Sequence, residues 1–426
     1  MRLQVSNPSD HRELFELPWS LPLETWSIDL IDPGGLHRHV VRFLEIGAVT
    51  YVLKELPEHL AEREYRLGRA LAEERMPTAE PIGVVTDRGP AARGEGMAIT
   101  RHIDYALPYR VLLSGRGLKI PYLGERVLDA LVGLLARLHL AGFYWGDCSL
   151  SNTLFRRDAG ALTAFVIDLE TGELHDELTD GQRLTDLMIA VENVAGGLLD
   201  LEAAGRLAQG IDPMATAQQI ERRYHELWAV LTAEEVFQPD ERYRIDQRLR
   251  SLHELGFDVG EVEYNQTPEG DKIRLVPRVV ELGYFAPRLA SLTGLQTGEN
   301  QARRLLDELH QFAATLERTT GRRYPENVAA ARWLDQVYEP AMASIPPDLD
   351  DKLEPAELYH QILEHRWFLS ERAGKDVGLS AAVRSYVDNV LRDAPRELIV
   401  FDPPTAELTV ITSDTAPPEE TRLNSP

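Results

Sequence analysis

Five polar residues follow one another in the first half of the chain, separated by predicted strands, a helix and a hairpin. Lys54 ends a predicted strand, and Glu64 lies ten residues further on in a predicted helix. Asp147 and Asn152 are five residues apart in one polar loop, and Asp168 ends an apolar run. A hairpin returns the chain to where it began, so Asn152 at its entrance and Asp168 at its exit can approach one point. The order predicts that these side chains converge.

The residue types match what phosphoryl transfer requires. A lysine must meet the α- and β-phosphates, and a carboxylate must hold that lysine in place. A second carboxylate must accept or orient the attacking hydroxyl, while an amide oxygen and a third carboxylate hold magnesium, which prefers oxygen ligands. Glu64 has a second interpretation, because helix periodicity places it on the apolar stripe of Leu60, Leu67 and Leu71. It could lie at the edge of that stripe, in water.

Turn residues and hydrophobic periods divide the first half into elements. They predict a three-stranded meander, a helix, two short strands, a second helix ending at Gly142, and a hairpin. The predicted elements are strands at 25–30, 39–46 and 49–56, a helix at 57–75, strands at 79–85 and 97–103, a helix at 125–141, and hairpin strands at 153–156 and 162–169.

Beyond residue 181 the chain is predicted to be mostly helical, with one β-hairpin over 258–264 and 273–280. The predicted helices are 181–204, 214–236, 240–255, 298–319, 324–341, 354–373 and 379–393. We therefore expect a first domain over 1–205 and a mostly helical domain with one hairpin over 206–400. The tail, 401–426, is rich in Pro, Glu and Ser and is expected to be partly disordered.

Three segments carry a resemblance to a known family. The loop 143–152, FYWGDCSLSN, resembles the catalytic loop of protein-kinase-like enzymes. It is most similar to the form found in lipopolysaccharide (Kdo) kinases, RIO kinases and aminoglycoside phosphotransferases. Their metal-binding motif resembles VIDLE at 166–170. The Kdo-kinase pattern around its helical glutamate resembles REY at 63–65 followed by MPTAEPIG at 76–83. The second half resembles a domain family of unknown function found beside this kinase domain in actinobacteria.

The resemblance covers roughly residues 25–205 and implies an α+β, bilobal protein-kinase-like fold, with a small antiparallel β lobe and a helical large lobe. A mostly α-helical C-terminal domain would follow. By resemblance, Lys54 would bind the α- and β-phosphates of ATP and Glu64 would pair with it. Asp147 would be the catalytic base, and Asn152 and Asp168 would bind Mg²⁺. ATP and Mg²⁺ are the implied cofactors.

Other positions in the nucleotide site follow from the same resemblance. Ile99 and Arg101 lie in the segment 97–103, where the hinge to the adenine would be. No G-x-G-x-x-G motif precedes Lys54, and Gly34 and Gly35 supply the glycine turn that is available there. We include both glycines as candidate cofactor-binding residues.

The loop and the metal motif depart from the family in several places. Trp145 stands where these families usually carry histidine, and Ser149 stands where protein kinases have lysine. Gly146 replaces the arginine that reads activation-loop phosphorylation, so that kind of switch is not expected. The metal motif reads Asp-Leu-Glu, without the usual glycine.

Charge and composition narrow the choice of partners. The formal net charge is −24, which disfavours nucleic acid and anionic membrane surfaces as main partners. No secretory signal and no apolar run long enough for a membrane span is visible, so we expect a cytoplasmic protein. Cys148 is the single cysteine, which excludes an internal disulfide framework.

Several residues invite other functions, which we weigh against packing. We interpret His139 as a packed, hydrogen-bonded core histidine, Cys148 as a buried inert thiol, and Trp145 as part of the loop packing. His102 would cap the hinge strand. The helix around His360, with His365, Trp367 and Arg372, is interpreted as an interdomain face, with a second site as the alternative. The stretch 240–280 faintly suggests a winged helix, which the acidic surroundings disfavour.

Two functional hypotheses remain. In the first, the chain is an ATP- and Mg²⁺-dependent kinase that phosphorylates a hydroxyl of unknown identity on a sugar, glycan, small molecule or protein. In the second, the kinase fold is a catalytically weak or inactive nucleotide-binding regulatory module, and the C-terminal half contacts a protein partner. The missing Gly-rich motif and Trp145 favour the second hypothesis, whereas the complete set of five polar residues favours the first.

Overall fold

An antiparallel sheet of five strands and one helix form the small lobe. The computed structural model describes residues 1–33, 38–113, 123–232, 235–237, 247, 261–267, 270–276 and 284–398. The elements are β1 (Arg2–Val5), β2 (Val40–Ile46), β3 (Val49–Pro57), α1 (Glu58–Glu73), β4 (Pro81–Thr86) and β5 (Glu95–Arg101). The strands run in the order β1-β4-β5-β3-β2.

The sequence predicted most of the strands and the helix of this lobe, but its N-terminal part differs from the prediction. The strand predicted at 25–30 is wrong, because a short 3-10 turn, Leu23–Thr25, occupies its start and residues 26–30 do not form a strand. The next residue, Ile31, forms a single bridge to Phe43 of β2. Trp26 instead packs edge-on against Trp19 and donates its indole N–H to a backbone carbonyl. The edge position beside β4 is taken by β1, which the sequence analysis did not predict.

A buried arginine ties the N-terminal segment to the sheet. The Arg88 side chain is fully buried and donates to Glu55 at 2.6 Å and to the backbone carbonyl of Trp19 at 2.6 Å. Glu55 also accepts the backbone N–H of Leu23 at 3.3 Å. The segment that carries Trp19 and Leu23 therefore closes one face of the sheet through a paired charge rather than through strand hydrogen bonds.

Helices form most of the large lobe, around two small sheets. Its core combines α3, α4 and α5 with the hairpin β8–β9. The elements are β6 (Ala106–Pro108), α2 (Tyr109–Leu113), α3 (Leu123–Leu140), β7 (Phe143–Tyr144), β8 (Thr153–Asp158), β9 (Ala161–Val166), β10 (Glu173–Leu174), α4 (Asp180–Ala203) and α5 (Pro213–Thr232). Gly142 follows α3 with φ of 74°, as expected for a helix cap.

The predicted hairpin forms with a two-residue turn. Ala159 and Gly160 have φ values of 50° and 83°, which fit the tight turns that match strand twist. Thr153 lies opposite Val166, so the segments that lead into and out of the hairpin are adjacent. Beyond the boundary predicted at residue 205, α5 still packs into the core of this lobe through Ala217 and Ile220. This packing favours a first domain that extends through α5.

The C-terminal region contains a three-stranded sheet and a separate helical core. The sheet order is β11-β13-β12, and β12 and β13 are the paired strands of the predicted hairpin, with Thr267 opposite Gly270. The elements are β11 (Glu235–Phe237), β12 (Glu261–Thr267), β13 (Gly270–Val276), α6 (Phe285–Thr293), α7 (Glu299–Thr320), α8 (Glu326–Trp333), a π-helical turn (Leu334–Tyr338), α9 (Glu339–Ala343), α10 (Pro355–Ala373) and α11 (Leu379–Asn389). Apart from residue 247, the predicted helix at 240–255 lies outside the described residues, and so does the predicted tail at 401–426.

The turn of the β8–β9 hairpin is attached to the C-terminal helices. Asp158 accepts the backbone N–H groups of Asn300 at 3.1 Å and Gln301 at 2.8 Å, at the N-terminus of α7. The N–H of Ala159 bonds to Glu357 of α10 at 2.9 Å. A Cβ atom at Gly298 would lie 2.4 Å from Asp158, so this approach requires glycine. Among the described residues, no helix is long and apolar enough to cross a bilayer.

We predict that Arg88→Ala strongly destabilises the small lobe. The change leaves the Glu55 carboxylate buried without its cation, at a cost of about 3–5 kcal/mol. Thermal unfolding should show a clearly lower Tm. Arg88→Lys is the control, because it keeps the charge but loses the geometry of the guanidinium, and it should give an intermediate Tm. An unchanged Tm in Arg88→Ala would contradict the role of this pair.

Candidate functional site

One lysine joins the two lobes through carboxylates. Lys54 of β3 donates to Glu64 of α1 at 2.9 Å and to Asp168, which follows β9, at 3.0 Å. Glu64 is 5% exposed, so it is a buried partner of the lysine and does not lie at the edge of the helix in water. The structure therefore brings together three of the five polar residues that the sequence singled out.

Burial and the neighbouring charges shift the pKa values of Glu64 and Lys54 in opposite directions. Burial raises the pKa of Glu64 to about 7, although the neighbouring Lys54 acts to lower it. Burial acts to lower the pKa of Lys54, but the carboxylates of Glu64 and Asp168 outweigh it, and the net shift is upward. The lysine therefore stays charged, and Glu64 is the member of the pair that titrates near neutral pH.

Two asparagines hold the Asp147 carboxylate. Asn152 donates its Nδ2 to Asp147 Oδ2 at 2.9 Å and to the Asp147 carbonyl at 3.0 Å. Asn193 of α4 donates to Asp147 Oδ1 at 3.0 Å. Burial raises the pKa of Asp147, while the hydrogen bond from Asn152 acts to lower it. With its amide nitrogen engaged, Asn152 offers its amide oxygen as a ligand for a cation.

The loop that carries Asp147 is fixed by a buried aspartate on α4. Asp186 accepts the backbone N–H groups of Trp145 at 2.8 Å and Gly146 at 2.9 Å. His139 Nε2 lies 3.1 Å from the same carboxylate, and its Nδ1 lies 2.7 Å from Tyr224 OH of α5. The interpretation of His139 as a hydrogen-bonded core histidine is therefore confirmed.

Trp145 and Cys148 are also packing residues. Trp145 is completely buried, and its indole N–H bonds to the backbone carbonyl of Asp168 at 3.1 Å, which links the loop to the metal motif. Cys148 is buried, and burial raises the pKa of its thiol well above the usual value. This thiol is therefore inert at neutral pH, as predicted.

Two residues of the site were missed in the sequence. Asp186 and Asn193 are seven residues apart in α4, which places them on one face of the helix, beside the buried residues Leu187, Ala190 and Val194. Polar side chains within an apolar helix stripe must find buried partners, so this pattern could have indicated them.

A third carboxylate lies at the metal motif. Glu170 is 7% exposed, and one of its oxygens lies 3.7 Å from Lys54 Nζ. Carboxylate oxygens of Glu64, Asp168 and Glu170 lie within 4.8 Å of one another. The sequence analysis had noted Glu170 only as a departure from the family motif.

A cleft of about 210 Å³ opens beside this cluster, between the lobes. Lys54, Asn152 and Asp168 line it on the polar side. The remaining lining is largely apolar and comes from both lobes, including Val41, Phe43, Val52, Ala98, Ile103, Ala106, Pro108, Leu154 and Ile167. A purine would fit the chemistry of this apolar part, and phosphates would fit the lysine end.

One of the two candidate hinge residues lines the cleft and the other does not. Arg101 lines the cleft, together with Thr100 and His102. The Ile99 side chain is 1% exposed and packs in the cluster on the other face of the sheet, so it does not line the cleft. His102 donates its backbone N–H to Thr50 at 2.8 Å. Gly34 and Gly35 lie outside the described residues.

The donor set fits a magnesium–nucleotide pair. The atoms that could ligate a cation are oxygens of Asp168, Asn152 and the neighbouring carboxylates, and Mg²⁺ prefers oxygen. The one ammonium among them, Lys54, could meet a phosphate.

Comparison with known families agrees with this geometry. Residues 37–189 match the model described as Lipopolysaccharide kinase (Kdo/WaaP) family. This region is similar to lipopolysaccharide kinases. Residues 226–391 match a Domain of unknown function, DUF4032. The resemblance stated from the sequence, to a Kdo-type kinase followed by a domain of unknown function, is confirmed, and so is the α+β fold class.

Two solved structures resemble parts of the chain at low identity. WaaP in complex with acyl carrier protein is 19% identical, with a TM-score of 0.37, over 60% of this chain and 99% of WaaP. A double mutant of the Mycobacterium tuberculosis PknI kinase domain is 13% identical, with a TM-score of 0.26, over 45% of this chain and 92% of that domain. No curated protein matches the chain.

We predict that Glu64→Gln changes how stability depends on pH in the nucleotide-free protein. Because the pKa of Glu64 is about 7 when folded and lower when unfolded, the folded state binds more protons between these values. Stability must therefore fall as pH rises through this window. Relative to Glu64→Gln, the wild type should lose on the order of 1 kcal/mol between pH 6 and 8. Urea unfolding of both proteins measures this, and a constant difference would refute the shifted pKa.

Proposed function

We propose that the chain is an ATP- and Mg²⁺-dependent phosphotransferase that acts on a hydroxyl acceptor. The observation that carries this proposal is the contact of Lys54 with both Glu64 and Asp168, at 2.9 and 3.0 Å, beside a cleft between two lobes. The match of residues 37–189 to the lipopolysaccharide kinase family supports the same reaction class.

Each polar residue has one role in this proposal. Lys54 binds the α- and β-phosphates, and Glu64 holds its ammonium in position. Asp168 and the amide oxygen of Asn152 hold Mg²⁺, which supplies positive charge against the phosphates when it is bound. Asp147 orients the acceptor hydroxyl and takes its proton, and Asn193 and Asn152 fix the direction of that carboxylate.

The acceptor belongs to a broad class. A hydroxyl on a sugar or a glycan fits the family match, but the similarity to lipopolysaccharide kinases does not fix lipopolysaccharide as the substrate. The acidic surface, with a net charge of −24, disfavours a strongly anionic acceptor. A protein partner would bind through the C-terminal region.

A second candidate is a nucleotide-binding regulatory module with weak or no transfer activity. Two observations favour it: Trp145 fills the loop where the family usually has histidine, and the Glu170 carboxylate lies 3.7 Å from Lys54. The two candidates differ in one measurement. Mg-ATP would raise the Tm in both cases, but only the enzyme would transfer phosphate to an acceptor.

We predict that Asp147→Asn lowers phosphate transfer by about 10²–10⁴-fold while it preserves binding of Mg-ATP. The amide keeps the shape of the side chain but cannot accept the proton. Transfer of labelled γ-phosphate to a panel of sugars and glycans measures the rate. Asp180→Asn is a matched control, because the Asp180 side chain is 97% exposed at the start of α4. Equal turnover in Asp147→Asn and the wild type would disprove the assigned base.

A further inference from the structure

Two basic residues immediately before β2 converge on the carboxylate of Glu170. Arg38 Nη1 lies 3.0 Å from Glu170 Oε1, and His39 Nε2 lies 2.8 Å from Glu170 Oε2. The carboxylate can only accept, so His39 must donate through Nε2. Lys54 Nζ lies 3.7 Å from the same Oε2 atom. Three nitrogen groups from the small lobe therefore surround one buried anion.

These residues lie where phosphates would have to be bound. Arg38 and His39 line the same cleft as Lys54 and Asp168. They precede Lys54 in the chain, in the part of the small lobe where kinases place backbone amides of a Gly-rich loop on the phosphates. This chain has no such motif before Lys54. Arg38 and His39 are described residues that can supply donors at this place.

The charges around Lys54 also indicate that other donors take part in binding the phosphates. Lys54 already faces the carboxylates of Glu64, Asp168 and Glu170, so it cannot by itself balance a nucleotide that brings several more negative charges. Arg38 and His39 are the next donors along the same wall of the cleft. Arginine suits this task because its planar fork matches phosphate oxygens.

We propose that Arg38 and His39 bind the terminal phosphates of the nucleotide in place of a Gly-rich loop, and that the Glu170 carboxylate occupies the phosphate position until the nucleotide arrives. This inference rests on the proposed function, since it concerns the same nucleotide site. Before a nucleotide binds, Glu170 keeps both donors in place. The entering phosphates then exchange with the carboxylate for the same hydrogen bonds.

The test compares nucleotides that differ only in their phosphates. Isothermal titration of the full-length chain gives the Kd for Mg-ATP, Mg-ADP and AMP in Arg38→Ala, His39→Ala and the wild type. We expect each variant to bind Mg-ATP about three- to tenfold more weakly, because a charge-assisted hydrogen bond is lost. The affinity for AMP should change less than twofold. Arg42→Ala is the matched control, because Arg42 pairs with Asp32 at 3.2 Å and does not line the cleft.

The outcomes separate this inference from the proposed function. If the wild type binds Mg-ATP and both variants bind it as tightly as Arg42→Ala does, the phosphate role is wrong and the proposed function stands. A parallel loss of AMP affinity would also overturn the role, since the residues would then only support the cleft. If the wild type binds no nucleotide, the proposed function fails and this inference fails with it.

A second variant tests the role of Glu170. Glu170→Gln removes the competing negative charge without removing the shape of the side chain. We expect it to bind Mg²⁺-free ATP about three- to tenfold more tightly than the wild type, because the phosphates no longer compete with a carboxylate. Unchanged or weaker binding would show that Glu170 does not occupy the phosphate position.

Discussion

The positive charge of Lys54 determines how the two lobes meet. Its ammonium contacts a carboxylate from α1 and another from the segment after β9, and both lie in a largely buried setting. Removing any one of these charges would leave the others without compensation in a medium where such charges are costly. The pairing therefore fixes α1 against the sheet and the metal motif against α1. The cleft exists because these three elements are held at this distance.

The other half of the site depends on α4. Asp186 is completely buried and holds the loop by two backbone amides, while Asn193 on the same helix face holds Asp147 directly. His139 and Tyr224 extend this network from α3 to α5. The loop that carries Asp147 is irregular, but a regular helix behind it holds its conformation. The helix therefore holds the Asp147 carboxylate in a defined position, although Asp147 itself lies in a loop.

The sequence predicted several elements because their signals are local, whereas the fold class and the residue roles followed from the family resemblance. Strand and helix periods and turn residues were sufficient to locate β2, β3, α1, α3 and the β8–β9 hairpin. The partners of Glu170 could not be predicted in this way, since Arg38 and His39 are more than 130 residues away in the chain. Tertiary contacts of this kind have no local pattern. The strand expected at 25–30 failed for a related reason.

That segment shows how side-chain packing can override strand propensity. Residues 25–30 alternate like a strand, but Trp26 packs on Trp19 and the neighbouring backbone is held by Arg88 and Glu55. The β-propensity of a residue reflects how well its side chain packs on a pleated sheet more than a preference of its backbone. A segment whose side chains pack better elsewhere in the fold therefore need not form a strand. Arg88 lies more than 60 residues from the segment that it holds.

The attachment of the β8–β9 turn has a mechanical consequence. Each strand of this hairpin has six residues, a length of roughly 20 Å. Its far end is bonded to the N-terminus of α7 and to α10, and its near end leads to Asn152 and Asp168. The hairpin is thus a stiff connection between the C-terminal helices and the two residues Asn152 and Asp168. A molecule that tilted those helices could shift these two side chains without ever entering the cleft.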